Sequence, residues 1–149
     1  MVLGFHERFK EPILNGTKIH TIRRNEHSEW KAGCKIEFAT GGTTSNYRQF
    51  DIGRCFDVQQ IKFEWYYLDK KPICLVSIDG VDISGNIYGR DYACLLSLLA
   101  KNDGFDSIEG FLSWRDWAMK DYVGTLIHWT PFRYCPSRVP RVKTNLIKI

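Results

Sequence analysis

The run Gly16-Thr17-Lys18-Ile19-His20-Thr21-Ile22-Arg23-Arg24 gathers three cations, an imidazole and a hydroxyl into seven positions. Strands alternate apolar and polar side chains. Here the apolar members are Ile19 and Ile22, and the polar ones are basic or hydroxyl-bearing. Crowding cations costs repulsion and desolvation that a purely structural strand avoids. One reading is a strand whose polar face lines a site for a ligand that is negatively charged or rich in carbonyl oxygens. The other is an edge strand kept from aggregating by basic residues. Residue chemistry alone leaves both open.

The elements that would position this run follow from periodicity and turn signals. Residues 2–5 are predicted as a short strand. Residues 7–15 are predicted as a short helix, with Phe9, Ile13 and Leu14 at helical spacing and Pro12 delaying or distorting its start. Asn15-Gly16 is a stop, and the basic strand covers residues 18–23. A polar connection at 25–33, anchored by Trp30, leads to a strand at 35–39. Residues 40–49 are a loop, either a long turn or a segment covering a site. Strands at 55–68 and 73–78 flank a turn at 69–72, which predicts a hairpin. Asp79-Gly80 ends or bulges the second strand, 81–84 continue it, and 86–90 are a connection.

Tyr92, Leu95, Leu96 and Leu99 form an apolar stripe on a helix near 91–102, capped by Gly104. Asp106 with Glu109 has capping-box spacing and opens a helix near 107–119. Its buried face is Ile108, Phe111, Leu112 and Ala118, flanked by Trp114 and Trp117. A last strand covers 123–129. The strands at 18–23, 35–39, 55–68, 73–78 and 123–129 are expected in one curved, mixed or mostly antiparallel sheet of an α+β domain.

A length of 149 residues fits one domain able to bury a core without metals or disulfides. With 44% hydrophobic and 14% aromatic residues, the chain is globular rather than disordered. Its net charge of +4 points only weakly to nucleic acid. The N-terminus lacks a basic start followed by an apolar run, and no stretch is apolar enough to span a bilayer. A cytoplasmic protein without membrane contact is the expectation. Cys34, Cys55, Cys74, Cys94 and Cys135 are odd in number, and no two form a Cys-x-x-Cys pair. Reduced thiols, no metal site and no cofactor are therefore expected. Residues 131–149 carry Arg133, Arg138, Arg141, Lys143 and Lys148, three prolines and no acid, and read as a basic extension after a domain at 1–130.

Phe9, Ile13-Leu14-Asn15-Gly16-Thr17-Lys18, Thr21-Ile22-Arg23 and Trp30-Lys31-Ala32-Gly33 together resemble the ASCH family. That family's Gly-x-Lys-x-x-Thr-x-Arg run falls here on Gly16, Lys18, Thr21 and Arg23, and its Lys-x-Gly element on Lys31 and Gly33. Asn102-Asp103-Gly104-Phe105 with Ser107 is similar to the family's acidic-Gly-Phe element between two helices. The resemblance covers roughly residues 2–130. It implies a small PUA-like β-barrel with flanking helices and a cleft beside the basic strand, used for RNA or nucleotide-like ligands. A short bacterial branch, similar to this chain from Phe9 to Gly33, hydrolyses the acetyl amide of N4-acetylcytidine with a Lys, a Thr and a Glu. Lys18 and Thr21 match the first two. Asp103, one methylene shorter, stands closest to the third.

The expected function is recognition of RNA or a modified nucleoside. Arg23, Arg24, Lys18 and His20 would contact phosphate or base oxygens, and Trp30 or Tyr47 would stack on a base. The alternative is an amidohydrolase in which Lys18 activates the Thr21 hydroxyl and Asp103 serves the leaving amine. That alternative needs Lys18 in the turn after Gly16, or a bulge, because residues three apart on a flat strand face opposite ways. A third reading is a protein-interaction adaptor with a vestigial cleft. His20 and His128 are also consistent with purely structural roles, as is Asp103 at a helix end.

Overall fold

The computed structural model describes residues 1–25, 30–84, 93–136 and 146–149, with side chains from 95 onward in the third segment. Strand β1 (Val2–Phe5) leads through a 3-10 turn (Glu7–Phe9) into helix α1 (Lys10–Leu14). Strands β2 (His20–Arg24), β3 (Lys35–Thr40), β4 (Arg48–Arg54), β5 (Asp57–Leu68), β6 (Lys71–Ile78) and β7 (Val81–Asp82) follow. Helices α2 (Ala93–Asn102) and α3 (Ile108–Leu112) precede β8 (Tyr122–His128) and β9 (Ile147–Lys148). The connection expected at 86–90, Tyr92 of the apolar stripe, residues 26–29 of the connection at 25–33 and the cations Arg138, Arg141 and Lys143 lie outside the described residues.

The fold is α+β with mostly antiparallel pairing. It has two sheets where one was expected. Strands β1, β3 and β4 form one, in which only β1 and β3 run parallel. The order β2-β8-β5-β6-β7 forms the other, with β9 added to β5. Alternation in Lys35-Ile36-Glu37-Phe38 shows a strand with one buried face but names no neighbour. β4 was read partly as loop because Arg48–Arg54 is a largely exposed edge strand with little apolar alternation. The pairings close no barrel among the described residues. The expected hairpin is β5–β6, turned by Asp69 and Lys70, both at positive φ. A second tight turn at Asp79-Gly80 joins β6 to β7.

The core is rich in aromatic rings. Phe63 stacks on Trp117 with centroids 4.7 Å apart, and Phe9, Phe105 and Trp114 meet edge to face. Complete burial of a side chain such as Phe63 stabilises the fold by about 1.5–3 kcal/mol. Helix α3 is shorter than expected. After Leu112 the chain turns, with the Trp117 indole donating to the Phe111 carbonyl at 2.8 Å and Met119 at φ 56.

Of the expected basic extension, one piece pairs with β5 at the surface and another reaches this core. Phe132 packs against it and Tyr134 is buried, while Lys148 reaches the Trp65 carbonyl at 2.9 Å and Asp121 at 2.6 Å. A boundary at residue 130 therefore does not separate a free tail. Among the described residues no helix is long and apolar enough to cross a membrane.

Candidate functional site

Lys18 precedes β2. Gly16, at φ 82, turns the chain after α1, and the amides of Thr17 and Lys18 both donate to the Pro12 carbonyl at 2.9 Å. The position of Lys18 is thus set by the turn rather than by strand alternation. Thr21 and Arg23 lie two apart on β2 and share a face.

Opposite them, α2 ends in a Schellman motif. The Phe105 amide bonds to the Ala100 carbonyl and Gly104, at φ 93, bonds to Lys101. Asp103 is the cap residue and has its side chain turned inward. The Lys18 ammonium donates to the Asp103 carbonyl at 2.6 Å and to Oδ1 at 3.1 Å, and so also caps the negative end of the helix.

Lys18, Thr21, Arg23 and Asp103 line one cavity of about 100 Å³, walled by Phe5, Phe9, Phe105, Trp114 and Trp117. A single water needs about 10–15 Å³, so the space admits several waters or a small planar group. A wider cavity of about 570 Å³ shares Gly4, Phe5, His6 and Arg115 with it and extends to Thr40, Gly41 and Asn46. The Thr21 hydroxyl has no partner among the described residues. Arg23 donates through Nη2 to the Gly4 carbonyl at 2.7 Å and lies 5.0 Å from the Phe5 ring, while its buried Nε has no partner among the described residues.

No family model, curated protein or solved structure matches this chain.

The remaining candidates fall elsewhere. His20 is fully buried behind the cavity wall, with Nδ1 3.1 Å from Asp103 Oδ1 and Nε2 2.7 Å from the Tyr134 hydroxyl. Arg24 lies over the Tyr122 ring at 5.0 Å, off the cavity. Trp30 was expected to stack on a base; it is instead 9% exposed within the core, because the apolar anchor of a polar connection is drawn inward. Tyr47 is 42% exposed beyond the cavity walls. Phe5, Trp114, Arg115 and Tyr134 were not singled out in the sequence. Only the Phe132–Tyr134 alternation between two prolines could have flagged the last of these as a buried, strand-like stretch.

Burial drives the Lys18 ammonium below the ordinary lysine range, and Arg23 and Arg8 add to the effect. Asp103 opposes it by charge and hydrogen bonding. Burial also holds His20 low, against the pull of Asp103. The site therefore combines a lysine biased toward its neutral form, an unbonded hydroxyl and a guanidinium with a donor to spare. Among the described residues no group of His, Cys, Asp and Glu could hold a metal ion. Cys34, Cys55, Cys74 and Cys135 are free, and the side chain of Cys94 lies outside the described residues.

Proposed function

We propose that this chain is an ASCH-type domain of the PUA-like class whose cavity binds the acylated edge of a modified nucleoside and hydrolyses its amide, with N4-acetylcytidine as the type substrate. The observation that carries the reading is the convergence of Lys18 and the unbonded Thr21 hydroxyl on one cavity. A protein that only binds RNA needs no such pairing. Of its two candidate stacking aromatics, Trp30 would have to leave the core, and Tyr47 is exposed but lies off the cavity walls.

The chemistry follows from the partners. As an amine, Lys18 keeps two N–H bonds, which the Asp103 carbonyl and Oδ1 accept, and its lone pair is free. Thr21 Oγ1 adds to the acyl carbonyl and its proton passes to Lys18 Nζ. Arg23, which lines the same cavity, supplies the cationic donor to the oxyanion. The C–N bond breaks, and Lys18 returns the proton to the leaving amine. Water then cleaves the acyl-threonine, losing a proton to Lys18, which delivers it to Thr21 Oγ1. Asp103 orients Lys18 instead of serving as the proton donor, since its Oδ1 already faces both Lys18 and His20. The wider cavity receives the rest of the nucleoside.

Incubation with a panel of acylated nucleosides, read by mass, tests this. The expected result is loss of the acyl group from N4-acylated cytidine. An unchanged panel, with RNA bound in a steeply salt-dependent manner, would support binding alone.

A further inference from the structure

Tyr134 comes from the C-terminal segment and ends in the polar network behind the cavity. Its backbone is clamped by Gln59, which accepts from the Tyr134 amide at 2.9 Å and donates to the Tyr134 carbonyl at 2.8 Å. Arg133 pins the same segment to Asp57 and Asp79. The Tyr134 hydroxyl thereby lies 2.7 Å from His20 Nε2 and accepts from Asn102 Nδ2 at 3.1 Å.

The hydrogen-bond inventory fixes the direction of this chain. Asn102 donates to the Tyr134 hydroxyl and the Asp103 carboxylate can only accept, so the single Tyr134 hydrogen faces a bare His20 Nε2. His20 then carries its proton on Nδ1, facing Asp103 Oδ1 at 3.1 Å, the same oxygen that accepts from Lys18 at 3.1 Å. We propose that Tyr134 is a positioning residue: its hydroxyl selects the Nδ1–H tautomer of His20, which holds Asp103 and, through it, Lys18 in place. The effect on turnover rests on the amidohydrolase reading; the tautomer does not.

The other tautomer would set a bare Nδ1 lone pair against a carboxylate oxygen. Removing the hydroxyl therefore loosens the His20–Asp103 contact and leaves Asp103 to Lys18. The charged and titratable groups that act on Lys18 are Asp103, Arg23 and Arg8; those around His20 are Asp103, Lys18, Tyr134 and His128. Tyr134→Phe alters only one of them and keeps the ring contacts with His20, His128 and Phe132. With less competition for Asp103, the Lys18 ammonium is held more firmly.

The test is two-bond ¹H–¹⁵N spectroscopy of the full chain labelled at histidine, with His20 assigned by His20→Gln. The wild type is expected to show a neutral Nδ1–H His20, and Tyr134→Phe to move its Nε2 resonance as that nitrogen loses its donor. On N4-acetylcytidine, Tyr134→Phe should lower kcat about tenfold with KM nearly unchanged. The pH at which activity sets in should move upward. A wild-type His20 in the Nε2–H form overturns the proposal without any variant. So does a folded Tyr134→Phe with an unaltered His20 spectrum. Should the wild type leave every acylated nucleoside intact, the function falls while the spectrum still decides the network.

Discussion

Lys18 and Asp103 form a buried pair in which each partner compensates the other's desolvation. Breaking such a pair from one side costs about 3–5 kcal/mol. Lys18→Met is therefore expected to lower the Tm sharply and abolish turnover. Adding Asp103→Asn, whose amide oxygen still accepts from His20, should recover most of the Tm but none of the activity. Arg23→Lys keeps a cation and loses the guanidinium fork, and kcat should fall about 10²-fold, as when one oxyanion donor is lost. At this scale the sequence was informative about the cavity residues. The Gly-x-Lys-x-x-Thr-x-Arg spacing directed attention to Lys18, Thr21 and Arg23, and all three line one space. It leaves His20 and Trp30 between site and core, because the same side chain serves in a core or on a surface, and only packing decides which.

The turn that ends α2 is the element on which the site depends. A β-carbon at Gly104 would sit 3.0 Å from the Phe9 ring and 3.1 Å from Lys18 Cδ, at a φ of 93 that side chains rarely adopt. Gly104→Ala is expected to destabilise the fold by about 1–3 kcal/mol, measurable by urea unfolding. It should also lower kcat, because the clash falls on Lys18 itself. Such turns were legible: Asn15-Gly16, Asp69-Lys70 and Gly104 all mark real reversals, since the φ they require restricts residue choice. The division into two sheets was not legible. Alternation in residues 35–39 reports a buried face, whereas the parallel partner β1 is more than thirty residues away in the chain. The end of α3 was missed for a similar reason. Trp114, Trp117 and Ala118 keep helical spacing while their backbone follows tight turns.

Across the whole molecule, the C-terminal segment joins the two ends of the chain through Tyr134 and His20. Its sequence reads as a basic extension because its cations outnumber its aromatic anchors, the buried Tyr134 and the partly buried Phe132. The same buried layer makes stability depend on pH. His128 donates through Nε2 to Gln59 at 3.0 Å, its Nδ1 is buried without a partner, and burial lowers its pKa to about 4. Between the ordinary value of 6.5 and about 4 the unfolded chain binds a proton that the folded chain does not. The His128 contribution is therefore full above pH 6.5 and is lost as pH falls toward 4, before Asp57 and Asp121 begin to protonate. His128→Gln should flatten that part of the urea-midpoint profile. The reading of the cavity as a hydrolytic site rests finally on one hydroxyl. The most direct measurement is single-turnover hydrolysis of N4-acetylcytidine by the wild type, Thr21→Ser and Thr21→Ala, with nucleoside binding followed in parallel. Product is expected with the first two and none with Thr21→Ala, which still binds. Equal rates for Thr21→Ala and the wild type would contradict it.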